Sequence, residues 1–152
     1  MTPSRINAAV VVDRVMWIET MLAGIRALPL QSQGDFDRDP RNAAAAESYL
    51  RRALEALLDL GRHVLAKGFG QVAAEYRDIP RFLSERHVID NEAAARWMKM
   101  AGYRNRMVHF YAEISRAELY DICATKLGDV ESALEAMRTW IAAHPELVDE
   151  SL

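Results

Sequence analysis

Apolar residues recur at helical spacing along nearly the whole chain. From about Ser4 to Leu28, the residues Ile6, Val10, Trp17, Met21, Ile25 and Leu28 fall close to one helical face. Pro29 and the polar run QSQGDFDRD end that segment. Asp39-Pro40 then offers a carboxylate to cap free backbone N–H groups and a proline suited to the first helical position. The second helix is expected from about Pro40 to Lys67, with Leu50, Leu54, Leu57, Leu58, Val64 and Leu65 inward and Gly68 and Gly70 closing it. Phe69 to Ile89 is less regular and contains Pro80; one short helix is expected around Arg81 to Arg86. Asp90-Asn91-Glu92 reads as a capped start with acid in the first turn, opening a helix that runs to about His109 or Tyr111. Ser115-Arg116-Ala117-Glu118 fits a capping box. It predicts a last helix from about Arg116 to Ala143, with Tyr120, Cys123, Leu127, Val130, Leu134, Met137 and Ile141 in a seven-residue repeat. No strand pattern competes. The expected fold is all-α, an up-and-down bundle of four long helices and one short helix, as a single domain over residues 1–152.

Composition narrows the function. A chain of 152 residues can bury a core without staples. The net charge of −3, with no charged tail, gives no global signal for nucleic acid and leaves room for a local basic patch. One cysteine, Cys123, excludes a disulfide framework and a clustered-cysteine zinc site, and fits a reducing compartment. No apolar run is long enough to span a bilayer, and Asp13 interrupts the N-terminal one, so neither a membrane anchor nor a signal peptide is expected. The expected location is cytoplasmic. Phosphate loops, nucleophile elbows and zinc-helix motifs do not occur.

The stretch AGYRNRMVHFYAE, residues 101–113, departs from the packing pattern. On a helical wheel Ala94, Trp97, Met98, Ala101 and Val108 share the expected core arc, and Asn105 lies within that arc with His109 at its edge. A buried amide or imidazole without a partner costs about 1–3 kcal/mol, so either the core supplies partners or this face ends in a cleft. Arg96, Lys99, Tyr103 and Arg106 form a separate basic stripe. A histidine in the last helical turn can exchange a proton, and the helix dipole favours its charged form by about 0.3–1 kcal/mol. An arginine keeps its charge and can grip a phosphate. Together they suffice for RNA cleavage without metal, because RNA carries its own nucleophile, the 2′-hydroxyl. Geometry opposes the pairing: five residues place Arg104 and His109 about 140° apart on an ideal helix. Either the helix distorts near its end, or two copies converge across a two-fold axis. From spacing alone, a salt-bridging arginine and a capping histidine account for these residues as well. Likewise Asn105 can be a satisfied core amide, Tyr111 an amphipathic helix-end residue, and the stripe a solvated face.

The motif Arg104-x4-His109-x-Tyr111, with its context, resembles the signature of the HepT-like branch of the HEPN ribonuclease superfamily, toxins of bacterial toxin–antitoxin pairs. The segments ESYLRRALEALLDLGRHVLAKGFG, EYRDIPRFLSERHVIDNEAAARWMKMAGYRNRMVHFYAEIS and AELYDICATKLGDVESALEAM are similar to that family's successive helices, over about Ala43 to Ile141. The resemblance implies a homodimer whose interface groove holds both motifs. It implies a metal-independent endoribonuclease without cofactor, with Arg104 and His109 catalytic and Asn105 supporting. It also implies a minimal nucleotidyltransferase antitoxin that transfers AMP to Tyr111, blocking RNA by charge and bulk. The substrate would be an RNA such as a tRNA or an mRNA, with Arg96, Lys99 and Arg106 as weaker RNA contacts. The alternative is a non-catalytic helical module that only docks on such a nucleotidyltransferase.

Overall fold

The computed structural model describes residues 5–109 and 114–150. It consists of helices α1 (Ala8–Arg26), α2 (Gln33–Asp37), α3 (Pro40–Phe69), α4 (Asp78–Glu85), α5 (Asn91–Val108), α6 (Arg116–Thr125) and α7 (Leu127–Ala143). A 3-10 turn at Pro145–Leu147 follows. The fold is all-α, and α3 is its axis: each of the other helices packs against it.

The long central helix follows from its ends and its inward stripe. Asp39 accepts a hydrogen bond from the Arg41 N–H, and Pro40 occupies the first helical position. At the far end Gly70 adopts the left-handed conformation at φ 64°, where a side chain would be strained. Its N–H bonds the Ala66 carbonyl and that of Gln71 bonds Leu65, both at 3.0 Å. Leu50, Leu54, Leu57, Leu58, Val64 and Leu65 are fully buried, as the spacing predicts.

The capping residues also act as expected. Asp90 accepts from the Ala93 N–H at 2.7 Å and Ser115 from the Glu118 N–H at 3.1 Å. His144 closes α7, with its Nδ1 2.8 Å from the Trp140 carbonyl oxygen and its ring stacked on Trp140 at 4.2 Å.

Several expectations are corrected. The last helix is not continuous: Lys126, at φ −120° and ψ 5°, separates α6 from α7. The apolar repeat survives the break, since Cys123, Leu127, Val130, Leu134 and Met137 are all buried. The run QSQGDFDRD holds a short helix rather than only a turn. Ser32 caps it, and fully buried Phe36 ties it to Tyr120 with ring centroids 5.5 Å apart. The short fourth helix begins three residues earlier than expected, because Pro80 lies in its first turn, where no N–H is needed. A two-residue strand, β1 (Ile6–Asn7), pairs in parallel with β2 (Val148–Asp149), in register Ile6 with Val148. Two residues are too short for alternation to register in sequence. Trp17 turns out 43% exposed, while its neighbour Ile18 is buried.

On α5 the inward face is rotated from the expected arc. Ala93, Trp97, Met100 and Ala101 are buried, whereas Met98 and Val108 are 45% and 40% exposed. Trp97 packs against Gly61 of α3, beside Ile79 and Leu83 of α4, which crowd the same bare backbone.

Candidate active site

Trp97 and Ala101 leave Asn105 and Arg104 at the end of the α5 face that meets α3. There the core gives way to a cavity of about 430 Å³, lined by Arg62, Ala74, Glu75, Tyr76, Arg77, Arg104, Asn105 and His109. The helical-wheel conflict between Arg104 and His109 is resolved locally. His109 leaves helical geometry, at φ −103° and ψ 101°, while its N–H still bonds the Asn105 carbonyl at 3.1 Å. The imidazole therefore need not lie about 140° from the Arg104 side, as a continued helix would require. Both residues line one cavity within one chain.

Arg104 is held on several sides. Its Nη1 donates to Asn105 Oδ1 at 3.2 Å, and its Nη2 lies 3.5 Å from Glu55 Oε2. Its guanidinium carbon sits 4.6 Å from the centre of the Tyr76 ring. Its Nε is buried without a hydrogen-bond partner among the described residues. A guanidinium held in one place suits an incoming oxyanion.

From α3 only Arg62 lines the cavity, and it stands at the end of a polar line on that helix. Glu55, Asp59 and Arg62 recur at four and three residues, so they share one face of that helix. Asp59 accepts from the Tyr76 hydroxyl at 3.1 Å, and Arg62 Nε donates to the Ala73 carbonyl at 3.1 Å. The Arg62 guanidinium also lies over the Tyr76 ring, 4.8 Å from its centre. Partial burial, then the neighbouring Asp59 carboxylate, push the Tyr76 hydroxyl above its ordinary pKa, so it stays a neutral donor. Among the cavity-lining residues three arginines face one glutamate, Glu75, which Arg77 already engages at 2.7 Å.

The sequence model of the Ribonuclease HepT-like family matches residues 18–137. The chain belongs to this family. No curated protein matches it in sequence. Solved structures of similar fold include a toxin–antitoxin complex with AMP-PNP, at 19% identity and TM-score 0.77, over 86% of this chain and 98% of that one. The tri-AMPylated HEPN toxin of Shewanella oneidensis in complex with its MNT antitoxin aligns at 20% identity and TM-score 0.78, over 86% and 97%. The cytosolic protein YutE of Bacillus subtilis, of unknown function, aligns at 20% identity and TM-score 0.73, over 93% of each chain. At such identities the likeness is one of fold.

Of the residues that the sequence singles out, Arg104, Asn105 and His109 come together at this HepT-like cavity. Tyr111 lies outside the described residues. The basic stripe is divided. Lys99 is exposed and Arg96 half-buried, but Arg106 is engaged by both carboxylate oxygens of Glu118, at 2.6 and 2.8 Å. That pair fastens the end of α5 to the start of α6. The sequence reading missed Glu55, Asp59, Arg62, Tyr76 and Arg77. The line of charge on α3 was available to it, since polar residues at helical spacing opposite a leucine stripe stand out on a wheel. Tyr76 and Arg77 lie in an irregular segment, where spacing predicts no direction. Among the described residues no three His, Cys, Asp or Glu side chains gather as a metal site would require, and no helix is long and apolar enough to cross a membrane.

Proposed function

We propose that this HepT-like chain is an endoribonuclease toxin that cleaves RNA through its own 2′-hydroxyl. The observation that carries the reading is the convergence of Arg104 and His109 on one cavity, made possible by the non-helical turn at His109. In the reaction the RNA 2′-oxygen attacks the adjacent phosphorus, and the bond from phosphorus to the 5′-oxygen of the next nucleotide breaks. The products are a 2′,3′-cyclic phosphate and a 5′-hydroxyl. Arg104 carries the charge that grows on the non-bridging phosphate oxygens. His109 moves the proton from the 2′-hydroxyl or to the leaving oxygen. Asn105 supports the site by holding Arg104 through Oδ1 at 3.2 Å.

The working unit is a homodimer. Exposed Met98 and Val108 on α5, beside the site, are apolar surface that a second copy would cover. The antitoxin is a minimal nucleotidyltransferase that attaches AMP to Tyr111, two residues beyond His109 in sequence, where added phosphate would compete with RNA for the same arginines. Arg96 and Lys99 lend weaker RNA contacts, and Arg106 acts only if RNA displaces Glu118. The protein works in the cytoplasm and takes a tRNA or an mRNA as substrate.

Purified protein incubated with total RNA in chelator tests this. Wild type should yield fragments with 2′,3′-cyclic phosphate ends, and Arg104→Ala should yield none while keeping the wild-type melting temperature. A folded, unmodified wild type that binds a nucleotidyltransferase but cuts no RNA would favour the non-catalytic docking module instead.

A further inference from the structure

The Tyr76 ring holds two guanidiniums. Arg104 lies 4.6 Å and Arg62 4.8 Å from its centre, so their separation cannot exceed those two distances laid end to end. Two like charges this close repel, and each is steadied by a carboxylate from the same face of α3, Glu55 for Arg104 and Asp59 for Arg62. Both contacts are loose, at 3.5 and 3.8 Å, longer than a charge-assisted hydrogen bond. Arg62 is anchored differently from Arg104. Its Nε bonds the Ala73 carbonyl, which fixes the plane of the fork and leaves the terminal nitrogens without a close acceptor among the described residues. Both guanidiniums line the same cavity.

We propose that Arg62 grips a second phosphate of the bound strand, next to the one at Arg104, and that Tyr76 is the spacer that sets the two cations apart. The inference rests on the proposed ribonuclease reading and adds to it a second strand contact, Arg62, beyond the phosphate at Arg104. A mononucleotide offers only one phosphate position, whereas a strand satisfies both forks and relieves the repulsion between them. Tyr76 positions the arginines through its ring and is itself pinned by the bond from its hydroxyl to Asp59.

Binding tests this apart from cleavage. The probe is a short, fluorescently labelled single-stranded oligonucleotide of 2′-deoxy sugars, which lacks the nucleophile and cannot be cut by this route. Its affinity is measured by anisotropy across a salt series for wild type, Arg62→Gln and Arg62→Lys. Arg62→Gln should weaken binding about tenfold or more and lower the slope of log affinity against log salt by about 0.7, the loss of one phosphate contact on a single strand. Arg62→Lys should recover most of the slope and part of the affinity, since a point charge replaces the fork. Tyr76→Leu should weaken binding while leaving the slope unchanged, because both cations remain but lose their spacing. The same slope and affinity for wild type and a folded Arg62→Gln overturns the proposal. So does displacement of the strand by AMP at equal phosphate concentration, which marks a mononucleotide site. If the wild type binds the probe as described yet cleaves no RNA, the two-phosphate site stands and the ribonuclease reading fails. If it cleaves RNA with an unchanged Arg62→Gln slope, the reverse holds.

Discussion

Gly61 is where the central helix lets the site-bearing helix approach, and Gly61→Ala measures that approach. A Cβ there would lie 2.8 Å from Ile79 Cγ2, 3.1 Å from Leu83 Cδ1 and 3.2 Å from Trp97 Cζ3. None of the three can yield cheaply. Ile79 is β-branched, so its Cγ2 is fixed by a stiff χ1. Trp97 is a rigid ring that is 1% exposed, and Leu83 is fully buried. Overpacking of this kind costs about 1–3 kcal/mol, and three close contacts belong in the upper half of that range. Alanine in a helix interior returns about 1 kcal/mol over glycine. The net expectation is a loss of about 1–2 kcal/mol, or several degrees in melting temperature for a domain of this size. Gly102 is the control, because nothing lies within 4 Å of its added Cβ. Gly102→Ala should stabilise by about 0.5–1 kcal/mol. Urea titrations of both variants beside wild type make the comparison. Gly61→Ala at or above wild-type stability would refute the claim that α3, α4 and α5 close over an absent side chain. Because Arg104 lies two turns along α5 from Trp97, the same variant should also lower RNA cleavage.

Other consequences follow from buried groups. Burial pushes the Cys123 thiol up to about 12, so its contribution to stability holds below its ordinary value of 9.0 and is lost as pH rises toward 12. In native protein near neutral pH, iodoacetamide should label it about a hundredfold more slowly than in urea, and fast native labelling would contradict its burial. His63 accepts through Nε2 from the Asn7 N–H at 3.0 Å, so it is neutral in the folded chain. Burial first, then Lys67 and Arg14, hold it below its ordinary 6.5; its contribution is full above that value and is lost as pH falls through the folded one. Melts from about pH 7 down to about pH 5 should therefore fall more steeply for wild type than for His63→Gln, and equal slopes would contradict this. The Trp97 indole N–H is buried with no partner among the described residues. Removing it relieves about 1–3 kcal/mol, so Trp97→Phe should stay within about 1 kcal/mol of wild type while Trp97→Ala loses about 3–5; equal losses would contradict the orphaned group.

The helices were legible because capping chemistry and apolar spacing are local. Asp39, Asp90 and Ser115 start the helices they mark, and Gly70 ends α3. What was not legible depends on contacts distant in sequence. The break at Lys126 leaves the apolar repeat intact, so the wheel cannot register it. On α5, Trp97 packs against Gly61, thirty-six residues away, while Met98 and Val108 face outward against their pattern. At the site, Arg104, Asn105 and His109 were readable from type and spacing, which left open whether a distorted helix end or a two-fold axis brings them together; that His109 leaves the helix is a backbone feature spacing does not give. Arg62 and Tyr76 reach the cavity from α3 and from the segment that follows it. Only the fold brings them to Arg104.

In the proposed mechanism Arg104 and His109 of the same chain act together. The decisive measurement is RNA cleavage by a purified heterodimer of Arg104→Ala and His109→Ala subunits, beside the wild-type dimer. If each chain builds its own site, both sites of the heterodimer lack one group, and it should be as inactive as either variant alone while wild type cuts. If the site is shared across the two-fold axis, one site keeps both groups and about half of the wild-type activity returns. That half-activity, or a folded and unmodified wild-type dimer that cuts no RNA, would contradict the account.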